Sequence, residues 1–212
     1  MKLKIFTLFL IISSCQKKTE NSNPLGLYYK NKVWDKKNII VCWKDFEPKD
    51  AKYRDIVRTQ IEETWQKYSS LTFLFWGKCG IGGGSDIYIS VKDKKPTSPI
   101  GTDYKKFGRR MYLNFSFENF ASQSFCAQSE QGKVDCIKHY SVHEFGHAIG
   151  IDHEHNRDDK PESCTREDPK KRTPGDTKVG AYDPHSVMNY CNASASLLSP
   201  GDIETVREIY GP

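Results

Sequence analysis

His143, Glu144, His147, Gly150 and His153 stand in the order H-E-x-x-H-x-x-G-x-x-H. Residues of these types at this spacing point to one chemistry, the binding of a divalent cation and the activation of water beside it. On a helix, His143 and His147 lie one turn apart on the same face, so both imidazoles can point at a single ion. Glu144 is offset by about 100° around the helix axis and reaches a water there without displacing a ligand. Gly150 lets the chain leave the helix by a left-handed turn, which swings His153 back as a third ligand. Three protein ligands leave the fourth tetrahedral position open, the arrangement of a catalytic zinc ion rather than a structural one. With this chain's own content of His, Glu and Gly, the pattern arises by chance in roughly two of a hundred thousand such chains.

Zinc lowers the pKa of a bound water toward neutrality and polarises a carbonyl. Glu144 is then the expected general base, taking the proton from that water and passing it to a leaving nitrogen. Because imidazole ligands must be neutral, activity is expected to fall at acidic pH.

A helix must carry these residues, and the sequence predicts it over Val134 to Gly150. Ahead of it, Asn38–Lys44, Leu71–Trp76, Asp86–Val91 and Arg109–Phe117 are rich in β-branched and aromatic residues and read as strands. Tyr53, Ile56, Val57, Ile61, Trp65 and Tyr68 recur at helical steps and predict a first long helix over about 49–69. The glycine-rich Cys79–Ser85 connection lacks the lysine and following helix of a phosphate cradle and reads as a turn. Residues 154–185 form a long irregular segment, and a stretch of that length in a compact domain is functional or pinned. A last helix starts at Ser199, with Pro200 at its first position, Asp202 to complete a capping box, and Ile203, Val206 and Ile209 as its buried face. These elements give an α+β or mixed α/β domain.

Lys2 and Lys4 flank the apolar run Leu3–Ile12, followed by Ser13, Ser14 and Cys15. This reads as a secretory signal over 1–14, too short to span a bilayer. The Ile12-Ser13-Ser14-Cys15 junction resembles the bacterial lipoprotein signal, so Cys15 is expected to carry a lipid anchor. Residues 15–37 then serve as anchor and tether, whose later part, with the aromatic cluster Tyr28, Tyr29 and Trp34, is expected to lie against the domain, and 38–212 as the catalytic domain. Lys and Arg number 32 against 27 Asp and Glu, and without Lys2 and Lys4 the net charge is near +3. So small and evenly spread a balance argues against a nucleic-acid partner. Six cysteines beyond Cys15, none spaced C-x-x-C, fit an exported, disulfide-bonded chain. Fifteen connectivities are possible, and the pairing expected is Cys42–Cys79, Cys126–Cys136 and Cys164–Cys191.

The histidine motif, together with Ser186-Val187-Met188-Asn189-Tyr190, resembles the zinc motif and methionine turn of the metzincin metalloproteases. Among these the chain is most similar to the astacins, since Glu154, His155, Arg157 and Asp159 follow the third histidine and Tyr182-Asp183 precede the turn. Leu198–Gly211 looks more like the closing helix of matrixins. The resemblance implies an α+β catalytic domain with a twisted mixed sheet of four to five strands, two long helices, an irregular lower part and a C-terminal helix. It implies His143, His147 and His153 as zinc ligands, and Tyr190 as a fifth group that binds zinc at rest and then hydrogen-bonds the oxyanion. It also implies a polypeptide substrate extended along Arg109–Phe117 by strand addition. Asn189 stands where astacins usually carry His, and Glu154 meets the mature amino terminus in that family, an amine that a lipidated Cys15 and a long tether do not offer. No pro-segment latch is evident. The bland reading suits the other histidines: His139 structural or supporting, His155 and His185 in loops or on the surface.

The function expected is that of a monomeric zinc endopeptidase, exported and anchored in the cell envelope or secreted. Its alternatives are a zinc-binding surface protein that no longer cleaves, which the intact Glu144 argues against, and a zinc hydrolase acting on a non-protein bond.

Overall fold

Three parallel pairings build the main sheet, in the order β3 (Thr72–Lys78), β2 (Asn38–Trp43), β4 (Ile87–Val91), β5 (Met111–Leu113). The computed structural model describes residues 24–80, 84–106, 108–165, 175–191 and 196–212. The signal segment 1–14, the anchor residue Cys15 and part of the glycine-rich 79–85 connection lie outside the described residues. Ile39, Val41, Ile87, Ile89 and Met111 are fully buried, which is why these strands read as apolar runs.

On this sheet lie α1 (Ala51–Ile61), which continues as a wider helical turn over 62–66, and α3 (Glu130–Ala148) behind the short α2 (Phe125–Gln128). Helix α3 starts one turn earlier than the apolar pattern predicts. Ser129 caps it by accepting the Gly132 N–H at 3.0 Å, and this polar first turn has no periodic signature. A bulge in β3 sets Phe75 and Trp76 at positive φ (79° and 58°) and turns Trp76 inward, onto Phe145 of α3 at 5.6 Å. The Trp65 indole donates to the Val142 carbonyl at 2.8 Å. Trp76 holds the motif-bearing half of α3 against the sheet, and Trp65 holds it against the helix that continues α1.

Residues 24–37, expected as tether, are built into the domain. Strand β1 (Pro24–Tyr28) pairs antiparallel with β6 (Thr177–Gly180) in a separate two-stranded sheet, and Tyr28 bridges Ile151. Leu27, Tyr28, Tyr29 and Trp34 are buried. The stretch looked unstructured because its pairing partners are remote in sequence and β6 has a single apolar residue. Arg109–Phe117 shortens to the three residues of β5, because the Asn114 side chain accepts the Ser116 and Phe117 N–H groups and turns the chain out of the sheet.

Helix α4 (Pro200–Tyr210) carries the expected capping box at Ser199 and Asp202. Its buried face is Gly201, Asp202, Thr205, Val206 and Tyr210, with Ile203 and Ile209 only half-buried. Disulfides join Cys42–Cys79, Cys126–Cys136 and Cys164–Cys191, the pairing expected. Three such bonds suit an exported protein. Among the described residues no helix is long and apolar enough to cross a membrane.

Candidate metal centre

The end of α3 is where the motif comes together. Trp34 Nε1 donates to the Ala148 carbonyl at 2.8 Å and the Tyr210 hydroxyl to the Ile149 carbonyl at 2.7 Å, so carbonyls that the helix end leaves unsatisfied find donors. Gly150 takes φ +99° as expected, with Val33 packed where a side chain would begin. The chain then turns back, and the ligand atoms of His143, His147 and His153 all lie within 4.8 Å of one another, all three residues buried.

The hydrogen bonds decide what this cluster is for. His143 Nδ1 donates to the Val187 carbonyl at 2.8 Å, and His147 Nδ1 donates to the Ile151 carbonyl at 2.9 Å. With their protons committed there, neutral His143 and His147 turn Nε2 lone pairs toward His153 Nε2, at 3.3 and 3.0 Å. A proton on His153 Nε2 can serve only one of these contacts at a time, whereas a cation among the three nitrogens satisfies all of them at once. Tetrahedral zinc with nitrogen ligands at about 2.05 Å sets those nitrogens about 3.3 Å apart, so the donor set fits that ion. Burial holds the His143 imidazole well below its ordinary pKa, in the neutral form a metal requires.

Glu144 is buried beside His143. Burial, and next the Glu144 charge, push the phenols of Tyr104 and Tyr140 up. Tyr190 joins the cluster: its ring centre lies 5.0 Å from that of His143 and 4.6 Å from that of His153. Met188 lies under the motif against Gly146, where an added Cβ would come within 2.4 Å of the Met188 sulfur.

The 183–190 turn that brings Val187, Met188 and Tyr190 here is anchored by α4. Asp202 accepts the Ser186 hydroxyl at 2.6 Å, the Val187 N–H at 2.8 Å and the Ser199 N–H at 3.0 Å. Asp183 accepts the Ser199 hydroxyl at 2.6 Å. Asn189 is fully buried and donates to the Tyr182 hydroxyl at 2.6 Å. Glu154 accepts the Asp183 N–H at 2.8 Å and lies 3.4 Å from Arg157, whose buried guanidinium also grips Asp159 and the Gly26 and Gly180 carbonyls. Arg157 thereby ties the β1–β6 sheet to the loop that carries His153.

Two expectations change. His155, expected in a loop or on the surface, is fully buried and stacks on both His153 and Tyr190. His185 is exposed and His139 half-buried, with its ring 6.3 Å from that of His143. The edge expected at Arg109–Phe117 is already occupied: Tyr112 exchanges both backbone hydrogen bonds with Thr97, antiparallel, at 2.8 and 3.1 Å. The 96–99 stretch is therefore the outer rim, and Lys95 just before it sets its ammonium 5.6 Å from the Tyr190 ring centre. Gly146 and His155 were missed in the sequence. The tight fit that needs a glycine and the stacking that buries a histidine both come from residues remote in the chain.

No family model and no curated protein matches the sequence. Among solved structures the chain is similar to myroilysin, with a TM-score of 0.64 and 18% identity over 88% of this chain and 99% of that one. A second similarity is to high choriolytic enzyme 1, a hatching enzyme zinc-protease from the medaka fish Oryzias latipes, with a TM-score of 0.47 and 16% identity over 87% of this chain and 97% of that one. The three-histidine cluster sits in an α+β fold that this chain shares with myroilysin.

Proposed function

We propose that the protein is a zinc-dependent endopeptidase of astacin-like type, cleaving extended polypeptides. The observation that carries this reading is the convergence of three imidazole nitrogens, two of them oriented by Nδ1–H bonds to carbonyls. His143, His147 and His153 would hold the ion. When bound, zinc supplies a Lewis acid for the scissile carbonyl and an acidified water. Glu144, next to His143 and shielded from solvent, takes the proton from the attacking water and delivers it to the departing amide nitrogen. The Tyr190 phenol, whose ring lies against those of His143 and His153, would donate to the oxyanion as it develops.

An extended peptide would lie along the rim outside Thr97. Pro96 and Pro99 lack N–H groups and the Thr97 N–H is given to Tyr112, so Ser98 carries the spare donor of the 96–99 stretch. A lipid on Cys15 would hold this domain at a membrane through residues 16–23. The reading is tested by incubating the purified protein with casein, with and without a chelator, beside Glu144→Ala. Cleavage by the wild type alone, abolished by the chelator, is expected. Robust cleavage by Glu144→Ala refutes the assignment of the base. A wild type that binds zinc and cleaves nothing is instead a zinc-binding surface protein.

A further inference from the structure

His155 has no part in the chemistry above, yet it is fully buried against the centre. Its ring is nearly parallel to that of His153 (4.6 Å, 26°) and to that of Tyr190 (4.8 Å, 23°). Its Nδ1 accepts the Tyr190 backbone N–H at 3.3 Å. On either side of Tyr190 the chain is held by other means. Asn189 is gripped through its side chain by Tyr182, Asp183 and Pro184, and Cys191 through its N–H, which donates to the Asn189 side-chain Oδ1, and through its disulfide. Between these fixed points, the backbone direction from which the Tyr190 ring projects is set by the acceptor on His155. The same imidazole lies against one stacking surface of that ring, while His143 stacks on it at 5.0 Å and 19°.

We propose that His155 is the positioning residue for Tyr190, acting through the bond from the Tyr190 N–H to Nδ1 rather than on the metal ligands. The inference rests on the reading that the Tyr190 phenol works in peptide cleavage. Removing the acceptor lets the phenol wander from the reacting carbonyl. Turnover then suffers while ground-state binding of peptide and zinc does not. Asparagine places an oxygen close to where Nδ1 stands, so it should restore the acceptor without the ring. Phenylalanine keeps the ring and loses the acceptor.

The test uses His155→Phe, His155→Asn, Tyr190→Phe and the double variant His155→Phe/Tyr190→Phe, with His155→Leu in reserve should the Phe variant not fold. Each is assayed for kcat and KM on a peptide, for zinc affinity by chelator competition, and for hydrogen exchange at the Tyr190 amide. His155→Phe is expected to lower kcat and to speed exchange of that amide, each about tenfold, the scale of one hydrogen bond. KM and zinc affinity should stay within about twofold. His155→Asn should recover most of both losses. In the Tyr190→Phe background, His155→Phe should cost no further kcat, because a residue acting through the phenol has nothing left to act on.

Unchanged exchange at the Tyr190 amide in His155→Phe overturns the proposal. So do additive losses in the double variant, or zinc affinity falling in parallel with kcat. A Tyr190→Phe variant as fast as wild type refutes the role of the phenol and this inference with it. If Tyr190→Phe is slow and the losses add, this inference fails alone. If the wild type cleaves nothing, exchange at the Tyr190 amide decides whether His155 holds it.

Discussion

Replacing Gly146 by alanine adds one methyl group at the most crowded point of α3. The new Cβ would sit 2.4 Å from the Met188 sulfur, 3.1 Å from its terminal methyl and 3.1 Å from an indole carbon of Trp65. Ordinary contact needs about 3.5–4 Å, so the sulfur must retreat by about 1 Å or more. Methionine is adaptable, but Met188 is 1% exposed, its N–H is bound to the Ser186 hydroxyl and its carbonyl accepts the Glu154 N–H. Overpacking of this kind costs about 1–3 kcal/mol. Alanine is the better helix former by about 1 kcal/mol, which offsets part of that cost. A clash this deep belongs in the upper half of that range, so the net expectation is a loss of about 1–2 kcal/mol, read as a melting temperature lower by about 2–8 °C. Met188→Ala alone empties the site and should cost about 2–5 kcal/mol. Gly146→Ala placed on that background should become neutral or stabilising, a coupling of about 2 kcal/mol in denaturant titrations. A Gly146→Ala protein that melts at or above the wild type, or losses that simply add, would refute the claim that Met188 requires glycine at 146.

Three further outcomes are expected. Burial pushes the Glu154 carboxyl from 4.5 up to about 8, against the Asp183 N–H and Arg157 that favour its charge. The folded state then holds a proton that the unfolded state releases between about 4.5 and 8, so this group's contribution to stability falls as pH rises through that window. The difference in melting temperature between wild type and Glu154→Gln should shift against the wild type from pH 4.5 to 8, and a constant difference would refute the assignment. Opening Cys164–Cys191, with its separation of 27, should cost about 3.5 kcal/mol by chain entropy, against about 2.7 for Cys126–Cys136 with its separation of 10, as urea midpoints of the Ser variants will show. A chain beginning at Lys37 loses Leu27, Tyr28, Tyr29 and Trp34 from the core. At about 1.5–3 kcal/mol each, that rivals a domain's whole stability, so circular dichroism should show it unfolded.

What could be read from the sequence was local. The i, i+4 spacing of His143 and His147, the Ser199–Asp202 capping box and the apolar runs at 38–44, 71–76 and 86–91 each carry their instruction within one turn or one strand. What escaped depends on partners far along the chain. Strand β1 exists because β6 and the Arg157 guanidinium meet it. His155 gave no signal of burial, since the rings that cover it come from positions 153 and 190. The covered edge of β5 rests on a two-bond bridge at Thr97, too short to leave a periodic trace.

The donors that close α3 come from widely separated parts of the chain, Trp34 to the Ala148 carbonyl and Tyr210 to the Ile149 carbonyl. A ribosome delivers these groups in order, and Tyr210 appears after every other described element. During synthesis the helix with His143 and His147 therefore waits with an open end, and the Asp202 that braces Val187 behind His143 is equally late. A nascent chain holds the ligands long before it can orient them. The order of synthesis itself therefore delays assembly of the centre until α4 has been made.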